Sequence, residues 1–372
     1  MSRSRDNASA VTTVPSGVGR NMVINGGMNV AQRSASVTGI GAAAGYFTCD
    51  RWKIDVGSTA GRFTMSQTAD GPNGISANCI KLDCTTADAS IAAGEYLLLN
   101  QRFEGQNLQR IGKGVAGAKE VTVSFYVKAN AAFTFALELI DRDNDRQITK
   151  LFDTTTGWAR HELTYAADVD DGSSPFDDNS AASLDIYFWL HSGATYTGGT
   201  LNTAAFANTT QANRAAGIDS FFSSTDNNFF ITGVQMEVGP VATEFEQEDI
   251  SITLAKCQRY LYKAGPGGAY ERMGIASNLS TTTAEAYIYL PVAMRATPTL
   301  VAVTASEFAM YDSSVSGNIV ACTGVVVESG GNANGQLMVL DTTVSSGLTA
   351  GGSSGLMTNN NTTAHITLDA EL

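Results

Sequence analysis

The chain has 372 residues and a formal net charge of -13, yet only 16% of its side chains are charged. That acidic balance argues against nucleic-acid binding, which needs clustered Lys and Arg to neutralise phosphate. No apolar run reaches the roughly 18 residues of a membrane-spanning helix, so no membrane insertion is expected. The five cysteines (Cys49, Cys79, Cys84, Cys257, Cys322) are odd in number and lack metal-ligand spacing. They read as free thiols of a protein that folds in a reducing cytoplasm, and the N-terminus has no secretory h-region.

Residues 1–20 are polar and aperiodic, a composition that does not order itself. From residue 21 to 247 the pattern is β. VTVSFYVKA (121–129) puts Val121, Val123, Phe125 and Val127 on one face. FTFALELI (133–140) does the same with Phe133, Phe135, Leu137 and Leu139. The short link between them predicts a hairpin. ARHELTYA (159–166), SLDIYFWLH (183–191) and NFFITGVQMEV (228–238) are further strands, separated by Gly-, Asp- and Asn-rich turns. Many short antiparallel strands with no helical period between them predict an all-β fold, a sandwich or jelly roll. Ile250, Leu254, Cys257 and Leu261 then fall at helical spacing, which predicts a short helix. After it, residues 248–372 carry β segments at 284–305, 337–344 and 364–372, a smaller C-terminal β domain. Pro291 and Pro298 confine its strands to edges or ends.

Five stretches carry a resemblance. GRNMVINGGMNVAQRS (19–34), YFTCDRWKI (46–54), ITGVQMEVGPVATEFEQED (231–249), KCQRYLYKAG (256–265) and LPVAMRATPTL (290–300) occur in that order. Together they resemble bacteriophage tail-fibre and related virion appendage proteins with a jelly roll like that of carbohydrate-binding modules. The chain departs from that pattern at Ala31, where Trp is frequent, and at Glu244, where Pro is frequent. The resemblance implies a homotrimer in the virion. Residues 1–20 would attach to other virion proteins, and a β domain would be presented to a host-surface glycan.

Candidate residues divide by chemistry. Asp50, Arg51 and Trp52 could clamp a sugar between an ion pair and an aromatic platform. The simpler reading is a framework corner in which Trp52 fills the core and Arg51 meets a carboxylate such as Asp50 or Glu237. The resemblance favours framework for this triplet and for Gln235 and Glu237. Asp141, Asp143 and Asp145 alternate as oxygen ligands for Ca²⁺ would, but Arg146 and Phe152 stand where an EF-hand needs Gly and Glu. The simpler reading is a solvated hairpin tip, and the acidic run 168–178 is read the same way. Tyr196, Trp158 and Tyr187 are the aromatic candidates for stacking on a sugar, whose C–H faces are apolar and whose rims need hydrogen bonds. His161, His191 and His365 sit in no catalytic motif, so no enzymatic activity is expected. Polysaccharide cleavage would need only two carboxylates and stays as an alternative, beside a head-fibre, decoration or adaptor protein that binds no receptor.

Overall fold

The computed structural model describes residues 19–169, 174–265, 267–301, 303–312, 314, 318–328 and 336–372. The expected attachment tail therefore lies almost wholly outside the described residues, as do Asp170 and Asp171 of the acidic run. The chain divides into two compact units between Ile250 and Ser251.

The first unit is built from β1 (Ser36–Ile40), β2 (Gly45–Tyr46), β3 (Lys53–Gly57), β4 (Arg62–Thr68), β5 (Cys79–Thr86) and β6 (Tyr96–Glu104). It continues with β7 (Val121–Ala129), β8 (Thr134–Asp141), β9 (Arg146–Asp153), β10 (Ala159–Tyr165), β11 (Ala182–Ser192), β12 (Ala207–Asn208) and β13 (Asn228–Val238). Two antiparallel sheets result, ordered β1-β4-β5-β13-β7-β10 and β12-β9-β8-β11-β6-β3-β2. This is the all-β jelly-roll sandwich expected from the sequence. Between the sheets lie Trp52, Phe63, Phe125, Phe135, Phe152, Phe188 and Phe229, with Val121, Val123 and Val127 among them.

The predicted hairpin at 121–140 does not form. β7 pairs with β10 and β13, whereas β8 pairs with β9 and β11 in the other sheet. No residue from 130 to 133 has the positive φ that a two-residue hairpin turn requires. The link arches between the sheets instead, so the two apolar faces meet across the core.

The central strands of the seven-stranded sheet, β8, β11 and β6, are buried on both faces. On its outer face, Leu98, Ala136, Ile140, Tyr187 and Trp189 form a second apolar cluster with Ala215, Tyr196 and Ile218. The cover for the IYFWL run is therefore the chain's own segment after β11. Arg214 fastens it: its guanidinium meets the buried Glu138 carboxylate at 2.9 Å and lies 5.0 Å from the Trp189 ring.

Beyond the helix Ile250–Gln258, the second unit has β14 (Leu261–Ala264), β15 (Arg272–Asn278), β16 (Thr283–Tyr289), β17 (Thr299–Leu300) and β18 (Phe308–Asp312). It ends with β19 (Asn318–Val327), β20 (Leu337–Val344), β21 (Ser353–Thr358) and β22 (Ile366–Asp369). Six of these strands close a barrel in the order β15-β16-β20-β19-β18-β21, and β14-β22-β17 form a small separate sheet. The helix buries Thr253 and Cys257, while Ile250 is 54% exposed. Of the predicted stripe, Cys257 and Leu261 are buried, Leu254 is half-buried and Ile250 is exposed. All five cysteines are free and buried.

Candidate functional site

Strand alternation sets the barrel wall. In β16, Ala284, Ala286 and Ile288 point into the barrel, which leaves Glu285, Tyr287 and Tyr289 on the outer side. Cross-strand register places Tyr287 opposite Ile275 of β15, Ile275 opposite Gly355 of β21, and Gly355 opposite Tyr311 of β18. Gly355 thus interrupts an otherwise continuous outward row of large side chains. Gly274 beside it is obligatory, because a Cβ there would come within 2.5 Å of the Tyr287 carbonyl oxygen. The two glycines help make the floor of an open groove of about 700 Å³, lined by Arg272, Ile275, Tyr287, Tyr289, Ser353 and Ser354 among others.

The groove offers two kinds of contact. Tyr289 is 69% exposed and Ile275 65%, an apolar patch that none of the described residues of the barrel covers. The polar groups are held in place. The Arg272 guanidinium lies 4.1 Å from the centre of the Tyr311 ring, and the Tyr287 hydroxyl donates to Glu285 Oε2 at 2.9 Å. That carboxylate pushes the Tyr287 hydroxyl pKa above its ordinary value, with partial burial adding to it. Exposed aromatic rings beside fixed donors and acceptors suit a ligand that is apolar on its face and polar at its rim.

The residues singled out from sequence fall elsewhere. Tyr187 and Tyr196 do come together, but in the covered cluster: Tyr196 packs 5.2 Å from Trp189 and 5.5 Å from Tyr96. The Tyr187 hydroxyl donates to Asp185 Oδ2 at 2.7 Å, and the residue is 7% exposed. Burial, with Asp185 adding to it, holds its pKa well above the usual range. Trp158 lies apart from both. It donates its indole N–H to the Asp70 carbonyl at 3.0 Å, and Lys128 Nζ lies 5.1 Å from its ring.

Asp141, Asp143 and Asp145 do not gather as the Ca²⁺ expectation requires. Asp141 is buried, meets Lys113 Nζ at 2.7 Å, and accepts the backbone N–H groups of Asp143 and Asn144. A lysine ammonium already neutralises it. Asp143 instead accepts the N–H of Asp177, and Asp145 is exposed in the left-handed turn that opens β9. Asp168 is likewise engaged, in a bidentate pair with Arg146.

The Asp-Arg-Trp triplet lies inside the sandwich. Asp50 accepts both the backbone N–H of Gln32, at 2.9 Å, and its side-chain amide. Arg51, with φ of 72°, donates to the Arg102 carbonyl at 2.6 Å. Trp52 is fully buried and donates to the Asn25 carbonyl at 3.2 Å. Glu237 is tied to Thr243, Gln235 and, at 3.7 Å, Arg20. Gln235 also accepts from the backbone of Glu246, whose carboxylate accepts the N–H of Asn21. These side chains stitch the first residues of the sandwich to its last.

No family model and no curated protein matches the chain. Among solved structures it is similar to one described as CBM4, at 12% identity over 57% of this chain and 97% of that one, with a TM-score of 0.29. It is also similar to the module TmCBM61 in complex with β-1,4-galactotriose, at 11% identity, 59% and 99% coverage and a TM-score of 0.30. A third is the enzymatically active domain of bacteriophage CBA120 tailspike protein 4, at 13% identity over 59% of this chain and 21% of that one, with a TM-score of 0.30. The neighbours are thus carbohydrate-binding modules and a phage tailspike domain, at a likeness too loose to assign a ligand to this chain.

Proposed function

We propose that the chain is a structural virion appendage protein whose C-terminal barrel adheres to host-surface glycan through the groove of Tyr287, Tyr289 and Arg272. One observation carries the adhesive half: Tyr289 and Ile275 stand uncovered beside a guanidinium held against Tyr311. A sugar ring would lie its C–H face on the tyrosines, and Arg272, Ser353 and Glu285 would meet its hydroxyls. Among the described residues that line the groove there is no pair of carboxylates, which favours binding over cleavage. The virion half rests on the five ordered motifs of the sequence, and residues 1–20 would make the attachment. A homotrimer would present three grooves and raise the effective concentration of each for its neighbours. The mass of the purified chain in solution tests that state.

A glycan array probed with the intact chain tests the adhesive half. The wild type is expected to retain a defined set of glycans, and Tyr289→Ala to weaken that retention at least about tenfold, or 1.4 kcal/mol. A wild type that retains no glycan, or a variant that retains them equally, overturns the assignment. The structural appendage or adaptor reading would then stand alone.

A further inference from the structure

At one end of the sandwich, well away in sequence from any motif, three ligating side chains converge. Asp88 follows β5, Glu95 immediately precedes β6, and His191 is the penultimate residue of β11. Pairing of β11 with β6 brings the last two together, and the Asp88 N–H donates to the Phe222 carbonyl at 2.9 Å. One ligand atom from each residue lies within 4.8 Å of the other two. All three are buried: His191 is 0% exposed, and Asp88 and Glu95 are 5% exposed.

The polar groups here are not mutually satisfied. Asp88 is well supplied, accepting from Thr59 Oγ1 and from the N–H groups of Ala60 and Ser90. His191 Nε2 and Glu95 Oε2 face each other at 3.5 Å, and both are buried without a hydrogen-bond partner. An imidazole ligates metals in its neutral form, through a ring nitrogen that carries no proton. The other nitrogen of His191, Nδ1, is 2.7 Å from Ser220 Oγ, which itself accepts the N–H of Phe222. With Nδ1–H donating to this hydroxyl, the Nε2 lone pair would face the carboxylates, as in metal-ligating histidines held by an outer hydrogen bond. Three acceptor groups aimed at one point repel one another unless a proton or a cation lies between them.

We propose that Asp88, Glu95 and His191 bind one divalent first-row transition ion such as Zn²⁺. Two carboxylates and a neutral imidazole balance a 2+ charge, and an imidazole nitrogen favours such an ion over Ca²⁺ or Mg²⁺. Three protein ligands leave a fourth position for water. The site lies beneath the exposed loop 89–94, which gives the ion a short way in. It would pin the β5–β6 loop to the end of β11 and so stabilise the sandwich by mass action. This inference is independent of the glycan reading.

Titration of the full-length chain, stripped with chelator, tests it with Zn²⁺, Co²⁺, Ca²⁺ and Mg²⁺ as probes. About one equivalent of Zn²⁺ should bind and raise the melting temperature, with Ca²⁺ and Mg²⁺ inert. Co²⁺ should give the visible absorption of a nitrogen- and oxygen-ligated ion in the wild type, a readout that needs no variant. Glu95→Gln and His191→Gln should each weaken binding at least about tenfold, and His365→Ala, at a half-buried histidine of the other unit, should not. A wild type that takes up no stoichiometric ion overturns the proposal, and the three groups then share a proton only. Undiminished binding by both site variants, or loss with His365→Ala, overturns it equally by placing the ion elsewhere.

Discussion

In the sandwich, Trp52, Phe125, Phe188 and Trp189 are all buried, whereas in the barrel Tyr287 and Tyr289 stand on the outer wall. The difference begins with geometry. Two facing sheets hold a layer about 10 Å thick, deep enough for rings packed edge to face, such as Phe125 against Phe188 at 5.2 Å and 86°. A barrel of six strands encloses less room, and its inner wall is largely Ala276, Ala284, Ala286, Ile288, Met310 and Leu340, with Phe308 the one buried ring of its core. Rings in the barrel are left to the outside, where they are available to a partner. The contrast teaches that large rings fill the core in one unit and stand on the outer wall in the other.

The contrast can be broken experimentally. Trp52→Ala should cost the sandwich about 3–5 kcal/mol, the range for deleting a buried indole, read by chemical denaturation. A loss under about 1 kcal/mol would show that the ring is not part of the packed core. Arg214→Ala should cost about 3 kcal/mol, the low end for breaking a buried pair, because the Arg214 side chain keeps 11% exposure. It should also loosen the cover, so that an aqueous quencher reaches Trp189. Unchanged quenching would mean that the segment is held without the ion pair.

A smaller effect concerns the barrel's acid limb. The Ser314 hydroxyl and the N–H groups of Thr349 and Ser314 hold Asp312 down at about 2, with burial working the other way. A folded pKa below the ordinary 3.8 stabilises above that value, and the contribution disappears as pH falls from 3.8 to about 2. Asp312→Asn should lower the barrel's midpoint at neutral pH and flatten its decline across that window. An unaltered acid profile would remove Asp312 from the account. Smallest of all, Tyr289→Ala should move stability by no more than about 0.5 kcal/mol, as surface changes do. A loss above about 2 kcal/mol would mean that the ring is structural and the two units are alike.

Alternation alone made most of the strands legible, including 121–129, 159–166, 183–191 and 228–238. It could not reveal which strands pair, because an arch and a hairpin can share the same short link. The same limit hid the groove. Tyr187 and Trp189 alternate in IYFWL as Tyr287 and Tyr289 do in AYIY, and both pairs point away from the main core of their unit. What separates them is a segment around Tyr196, Arg214 and Ala215 that folds back over the first pair and has no counterpart over the second among the described residues. That segment is polar and aperiodic, so nothing in its pattern announces a cover. The Asp88, Glu95 and His191 trio was invisible for another reason: its members meet only through the pairing of β6 with β11.

The stitching of Asn21 to Glu246 and of Arg20 to Glu237 sets the entry and exit of the sandwich side by side. Tension carried along the chain therefore meets this short clamp between the entry segment and β13. The same closeness makes the sandwich a cassette: it can be spliced into a longer polypeptide, or removed from one, without forcing apart the segments on either side.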